Sequence, residues 1–272
     1  MTSAVPGLTS TPPIQQPEAR LVVADKVLED LKKRITTPDE IRHLKVLIYC
    51  RPGIGKTWFG ASAPNPCFYD IDGTTVSLEQ NPLYAKIPVI PYVSPFQGEM
   101  VLAKIASEDL WPEKESFVFD SATMFQNKSL KSQLRTQLGI RDDTKEMQSM
   151  LTRYLSSEMN WVANTQYMED VVARLDMIKN KNVIVTAHIK TEKDDSTGVT
   201  RQLIRPDITN KAYQSFARWA NVIGFLEVVG EKRTLRILPT TTIDAKSHIG
   251  GPPLIENPTF QSLLDIKEKK IA

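Results

Sequence analysis

The sequence predicts an α/β domain with a largely parallel, twisted β-sheet that is flanked by helices. Four short apolar runs each stop at a polar residue or at a glycine-rich turn. Segments with the apolar spacing of helices lie between them, and strands that alternate with helices form parallel sheets. The four runs are residues 43–49, 66–72, 116–120 and 182–188.

Length and composition are those of one globular domain. The chain has 272 residues, of which 41% are apolar and 24% charged, and no apolar run reaches the length of a membrane span. The net charge of +2 means that a nucleic-acid partner would have to meet a local basic surface. Two cysteines, Cys50 and Cys67, form no disulfide framework, so we expect a reducing, cytoplasmic location and no membrane partner.

The ends of the chain differ in composition from the middle. Residues 1–17 contain four prolines and no charged side chain, which predicts a flexible tail and not a signal peptide. Residues 18–42 have helical spacing and form a separate N-terminal segment, and residues 267–272 are a charged tail. The main domain is therefore predicted over residues 43–266.

A glycine-rich turn follows the first apolar run. Gly-Lys-Thr at 55–57, directly after a strand, is the layout of a phosphate-binding loop. Glycines let backbone N–H groups surround phosphate, Lys56 reaches the β- and γ-phosphates, and the Thr57 hydroxyl ligates Mg²⁺. Cys50 stands where the usual motif has its first glycine, and the alternative is an ordinary turn between a strand and a helix. The predicted nucleotide-binding residues are Arg51, Pro52, Gly53, Ile54, Gly55, Lys56, Thr57 and Trp58.

Two further runs end in carboxylates. Asp70 and Asp72 alternate on one strand, so both are expected to face a ligand crevice at the carboxyl edge of the sheet. Asp120 ends a short buried strand, where an acidic residue holds Mg²⁺ in phosphate-loop enzymes. The alternative for Asp120 is a capping carboxylate.

The remaining elements follow from local pattern. Pro64 shortens the helix after Thr57, and prolines at 88 and 91 favour a sheet edge for the strand at 87–93. His188 ends an apolar strand, either as a γ-phosphate sensor or as an ordinary hydrogen-bonded histidine. Other predicted elements are a helix at 97–110, a polar, basic segment at 123–138, a loop at 140–146, helix up to 178, a loop or hairpin tip at 189–208, a helix at 210–220, a hairpin at 221–239 and a helix at 259–266.

This order of motifs resembles the RecA-like core ATPases, in particular the phage-encoded family that includes single-strand annealing proteins. The resemblance covers residues 45–266 and implies a RecA-like P-loop NTPase core. It implies catalytic roles for Lys56, Asp72, Asp120 and His188, with Thr57 and Asp120 at the metal. Asp72 stands where the family generally has a glutamate, so hydrolysis is expected to be slow or to use a bridging water.

The resemblance also implies contacts outside the nucleotide site. Segments after the Asp120 strand and after the His188 strand hold DNA in RecA-like proteins. The loop Ala245–Gly250 resembles one that reaches a neighbouring subunit's nucleotide, through Lys246 and, in place of an arginine, His248. Candidate DNA contacts are Lys128, Lys131, Arg135, Lys190, Lys193 and Arg201.

The predicted function is that of an ATP- and Mg²⁺-dependent ATPase that DNA stimulates. It would act on single-stranded DNA in phage recombination, by annealing or strand handling, in the cytoplasm of an infected bacterial host. We expect a ring or filament, and other phage recombination or replication proteins as partners. Three alternatives remain: a ring-type DNA motor or helicase, a nucleotide-switched DNA-binding protein with negligible turnover, and a small-molecule kinase, which the short helix after Thr57 disfavours.

Overall fold

A computed structural model describes residues 29, 43–137, 139, 158–194 and 201–269. The chain divides into two compact units, residues 1–42 and 43–272. In the first unit only Glu29 is described, and it lies in a helix. The predicted tail over 1–17, the rest of the segment 18–42 and the predicted loop at 140–146 lie outside the described residues.

The described part of the second unit contains ten strands in one sheet. The strands are β1 (Lys45–Cys50), β2 (Pro66–Asp70), β3 (Val89–Pro91), β4 (Ser116–Asp120), β5 (Asn182–Asp194), β6 (Arg201–Pro206), β7 (Val222–Val229), β8 (Lys232–Arg236), β9 (Lys246–Ser247) and β10 (Leu254–Glu256). Their order in the sheet is β10-β8-β7-β1-β5-β4-β2-β3, with β6 paired to β5 and β9 paired to β7. The six neighbouring strands from β7 to β3 run parallel, so their carboxyl ends meet at one edge.

Helices cover both faces of this sheet. They are α1 (Lys56–Ala61), α2 (Pro95–Ala106), α3 (Ala122–Gln137), α4 (Glu158–Asp176), α5 (Asn210–Trp219), α6 (Phe260–Lys267) and a 3₁₀ helix (Thr75–Gln80). Side chains of α2 to α5 pack with alternate strand residues such as Leu47 and Tyr49, while α1, α6 and the 3₁₀ helix pack with Val46 and Ile48. Strands buried on both faces explain the near-continuous apolar runs. The predicted fold class is confirmed.

Several local predictions are confirmed, and the end of one strand needs revision. Helix α1 is short, and β3 lies at the sheet edge as its prolines indicated. The described part of the polar, basic segment predicted at 123–138 lies in helix α3, because Phe125, Leu130 and Leu134 bury one stripe of it. The strand predicted to end at His188 continues to Asp194. It pairs antiparallel with β6, as the hairpin alternative for residues 189–208 predicted.

Candidate functional site

The candidate site lies where the parallel strands end. A cavity of about 390 Å³ opens above the turn between β1 and α1. Its walls come from that turn, from the segment after β2, from His188 on β5 and from Arg233 on β8. The topology therefore brings together residues that are up to about 180 positions apart in the sequence.

The turn has the backbone conformation that its glycines permit. Gly53 has φ +80° and Gly55 has φ +116°, both in the left-handed region that favours glycine. Helix α1 begins at the next residue, and Phe59 N donates to Gly55 O at 2.9 Å. Cys50 is fully buried as the last residue of β1, so the turn forms without a first glycine. Of the eight predicted nucleotide-binding residues, Arg51 and Ile54 do not line the cavity.

Asp120 and Thr57 form a buried pair, of which Thr57 lines the cavity and Asp120 lies behind it. The Thr57 hydroxyl donates to Asp120 Oδ2 at 2.8 Å, and the Thr74 hydroxyl donates to the same oxygen at 3.2 Å. Thr186 donates to the other carboxylate oxygen. Burial raises the pKa of Asp120 above its usual range, although the hydrogen bonds from Thr186 and Thr57 act in the opposite direction.

This oxygen set suits Mg²⁺ bound together with a nucleotide. Mg²⁺ keeps several waters and takes one or two carboxylates plus substrate phosphates. Thr57 can supply a direct hydroxyl ligand, and Asp120 a carboxylate that holds the metal's water. Within the described ranges, no group of three or more His, Cys, Asp or Glu side chains could hold a metal on its own. The donors present therefore fit a metal that phosphate oxygens help to hold.

Asp72 and His188 form a second pair on the same side of the turn. His188 Nε2 lies 3.0 Å from Asp72 Oδ2, and the Ser121 hydroxyl donates to Oδ1 at 2.7 Å. Because a carboxylate only accepts, Nε2 carries the proton of this contact. Burial raises the pKa of Asp72, but the hydrogen bonds from His188 and Ser121 outweigh it, so the pKa lies below its usual value. The Asp72 side chain is therefore anionic, with both oxygens engaged.

Asp70 has a different role from the one predicted. Its carboxylate accepts from the backbone N–H groups of Gly73 at 2.8 Å and of Thr74 and Thr75 at 3.2 Å each. It holds the turn between β2 and the 3₁₀ helix and does not line the cavity. Strand alternation placed Asp70 and Asp72 on one face, but the strand ends at Asp70, so alternation no longer applies at Asp72.

Sequence reasoning missed four residues of the site. Ser121, Thr74 and Thr186 orient the two carboxylates. Thr186 had a signal, because it is two residues before His188 in an otherwise apolar strand. Arg233 had none, because its place above the turn depends on how β8 pairs with β7.

The predicted DNA contacts fall on two elements and differ in availability. Lys128 on α3 donates to the backbone oxygen of Ile71 at 2.6 Å and lies 4.6 Å from the centre of the Tyr92 ring. Its ammonium therefore supports the segment that carries Asp72, which changes its interpretation as a DNA contact. Lys131 on the same helix is exposed, and Arg135 is half-buried.

The other three candidates lie on the β5–β6 hairpin. Lys190 forms an ion pair with Glu192 at 2.7 Å, so a carboxylate already neutralises its ammonium group. Lys193 is exposed. Arg201 begins β6, and its side chain lies outside the described part of the structure. Among the described side chains of the hairpin, Lys193 is therefore the candidate DNA contact that is exposed.

Lys246 is engaged inside its own chain. Its ammonium donates to the backbone oxygens of Ala217 at 2.6 Å and Ala220 at 2.8 Å, at the carboxyl end of α5. A cation is favourable there, although burial lowers the Lys246 pKa. A contact with a neighbouring subunit's nucleotide would require these two hydrogen bonds to break. His248, two residues on, is exposed.

The fold and the site together define a phosphate-loop nucleoside triphosphatase. The chain belongs to the AAA_24 family, whose model is described as an AAA domain and matches residues 42–249. No curated protein sequence matches the chain. Among solved structures, it is similar to the flagellar accessory protein FlaH from Methanocaldococcus jannaschii, with 14% identity, a TM-score of 0.42, and coverage of 84% of this chain and 89% of that one.

No helix in the part of the chain that the structure describes has both the length and the apolar character to cross a membrane.

Proposed function

We propose that the chain binds ATP·Mg²⁺, hydrolyses it slowly, and responds to single-stranded DNA. One observation carries the nucleotide part: a single cavity is lined by Lys56 and Thr57 of a phosphate loop and by the Asp72–His188 pair, and Asp120 lies behind Thr57, within hydrogen-bond distance of its hydroxyl. Each group corresponds to one requirement of phosphoryl transfer, namely charge neutralisation, metal binding and activation of water.

Each residue of the site has a separate role in the proposed reaction. Lys56 is buried and places its ammonium where the β- and γ-phosphates lie above a phosphate loop. Mg²⁺ would supply further charge neutralisation there, held by Thr57 and Asp120. Asp72 would accept a hydrogen bond from the attacking water and orient it, and His188 contacts Asp72 and lines the same cavity.

One feature of the site also supports a nucleotide switch with negligible turnover. Both oxygens of Asp72 already accept hydrogen bonds, from Ser121 and His188. Polarising a water requires one of these contacts to open or to be shared. We therefore propose that hydrolysis is slow until a conformational change at His188 releases an oxygen of Asp72.

The hairpin supplies a route from that change to DNA. β5 runs without interruption from His188 into the arm that ends at Asp194, and Asp207 N donates back to His188 O at 2.8 Å. A shift of His188 is therefore passed directly to the hairpin, as in nucleotide switches of the order–disorder kind. Lys193 and Lys131 are the exposed cations that we propose for contacts with DNA phosphates.

Assembly and biological role rest on the resemblance to RecA-like proteins of phage recombination. We propose a ring or filament with nucleotide between subunits, in which His248 faces the neighbour, and a role in annealing or strand handling. Sedimentation velocity with and without ATP and single-stranded DNA tests this. A monomer under every condition would contradict the assembly.

The experiment for the activity is steady-state phosphate release from ATP·Mg²⁺, with and without single-stranded DNA. Lys56→Ala should abolish release, and Asp72→Asn should lower it by about 10²- to 10⁴-fold, the usual contribution of an acid–base group. Asp109→Asn is the matched control, because Asp109 is an exposed carboxylate paired with Lys104 away from the cavity. Release that is equal in Asp72→Asn and wild type would overturn the hydrolytic role, and release indifferent to DNA would remove the DNA step.

A further inference from the structure

Arg233 reaches the phosphate loop because strand β7 is longer than its neighbour. The last parallel pair between β1 and β7 is Tyr49 with Phe225. β7 then continues to Val229, and β8 returns antiparallel with Arg233 opposite Val228. The hairpin thus projects beyond the end of β1 and over the turn that follows it.

The guanidinium of Arg233 lies directly against that turn. A β-carbon placed on Gly55 would be 3.3 Å from both Cζ and Nη1 of Arg233. Gly55 has no side chain, so the guanidinium can approach the backbone next to Lys56. Arg233 also lines the cavity that contains Lys56, Thr57 and the Asp72–His188 pair.

The charge of Arg233 has no partner in the described residues. No carboxylate within 43–137, 158–194 or 201–269 pairs with it, whereas the adjacent Lys232 pairs with Glu256 at 2.6 Å. The backbone at Arg233 is nevertheless fixed, since Asn257 N donates to its oxygen at 2.7 Å. Lys56 and Arg233 therefore face one cavity, which the Asp72 carboxylate also lines, and neither cation forms an ion pair within the described residues. The phosphates of a nucleotide between the two cations would be stabilised by both.

The strand order shows which part of an anion Arg233 can meet. Arg233 comes from the β7–β8 side of the turn, while Asp72, Asp120 and His188 come from the opposite side, from β2, β4 and β5. In the proposed mechanism, water attacks the terminal phosphate from the side of Asp72. A guanidinium on the other side is placed for phosphates that are not transferred, and its planar fork suits their oxygens.

We propose that Arg233 binds the α- and β-phosphates of the nucleotide within its own subunit. This inference rests on the proposed nucleotide function and specifies which residue completes that site. Arg233 then contributes to binding of ATP and ADP alike and takes no part in the chemical step.

The test compares affinity and turnover in three variants. Arg233→Ala should weaken binding of fluorescent ATP and ADP analogues by the same factor, about 10- to 100-fold for lost charge-assisted hydrogen bonds. It should raise KM by that factor and leave kcat within about threefold. Arg233→Lys should fall between, because it keeps the charge and loses the fork. Lys232→Ala, on the same strand, is the matched control and should equal wild type.

The outcomes separate this inference from the function on which it rests. If the wild type binds ATP and Arg233→Ala binds it equally well, the role of Arg233 is overturned and the proposed nucleotide function is not. A loss for ATP but not ADP, or a fall in kcat at constant KM, also overturns it, because the contact would then be with the transferred phosphate. Wild type that binds neither nucleotide overturns both proposals. Thermal unfolding of each variant verifies that the exposed substitution leaves the fold intact.

Discussion

Replacing Lys128 by alanine should slow ATP hydrolysis without weakening DNA binding. The Lys128 ammonium donates to Ile71 O at 2.6 Å, and the following residue is Asp72. It also lies 4.6 Å from the centre of the Tyr92 ring. These contacts join α3 to the segment after β2, so their loss frees the peptide on which the Asp72 carboxylate depends for its position.

The size of the effect follows from the two contacts. A hydrogen bond to a charged group contributes about 1.5–3 kcal/mol, and an exposed cation–π contact about 0.5–1 kcal/mol. Because Lys128 is only half-buried, we reduce their sum for solvent screening to about 1.5–2.5 kcal/mol. At about 1.4 kcal/mol for each factor of ten, kcat should fall roughly 10- to 60-fold.

The assay measures phosphate release at saturating ATP, nucleotide affinity, and affinity for a fluorescent single-stranded oligonucleotide. Lys131→Ala is the control, because it removes the same charge from an exposed position on the same helix. Lys128→Ala should lower kcat and keep DNA affinity, and Lys131→Ala should weaken DNA binding and keep DNA-free turnover. If Lys128→Ala instead weakens DNA binding while DNA-free turnover stays at the wild-type level, the positioning role is refuted and the contact predicted from sequence is restored.

Three further outcomes can be measured on the same protein. Thr57→Val should abolish the difference between ATP affinity with Mg²⁺ and with EDTA, because it removes the hydroxyl ligand; a retained difference would exclude Thr57 as a ligand. Burial raises the pKa of Cys50 to about 11 and of Cys67 to about 12. About one Cys50 in a thousand is then thiolate at pH 8, so both thiols should react with a disulfide reagent only after denaturation, and fast reaction of the native protein would contradict this burial. Gly224→Ala should lower stability by about 1–3 kcal/mol in denaturant unfolding, as overpacking does, because its new carbon would lie 2.6 Å from Leu235 Cδ1 in the core; wild-type stability would show that the core relaxes there.

Local chemistry determined the centre of the site. The turn between β1 and α1 needs positive φ at two glycines, followed by lysine and threonine. All four residues lie within one short stretch of the sequence, so the motif can be recognised without the fold. Asp120 could be placed in the same way, because a short apolar run that ends in a carboxylate brings that carboxylate to the edge of a parallel sheet. The alternation of strands and helices likewise predicted the fold class, since each apolar run must be buried.

Long-range pairing decided the rest. Asp70 and Asp72 have the same sequence signal, yet Asp70 closes its own turn and Asp72 meets His188, because β2 ends between them. Lys128 and Lys131 are both lysines on α3, and only the first reaches Ile71 O. Arg233 is about 180 residues from Gly55 in the sequence, and the two meet only because β7 extends beyond the end of β1. The sequence by itself determined which chemistry the protein carries, since those motifs are contiguous; the tertiary structure decided which charges remain available for a ligand, since that depends on partners from distant strands.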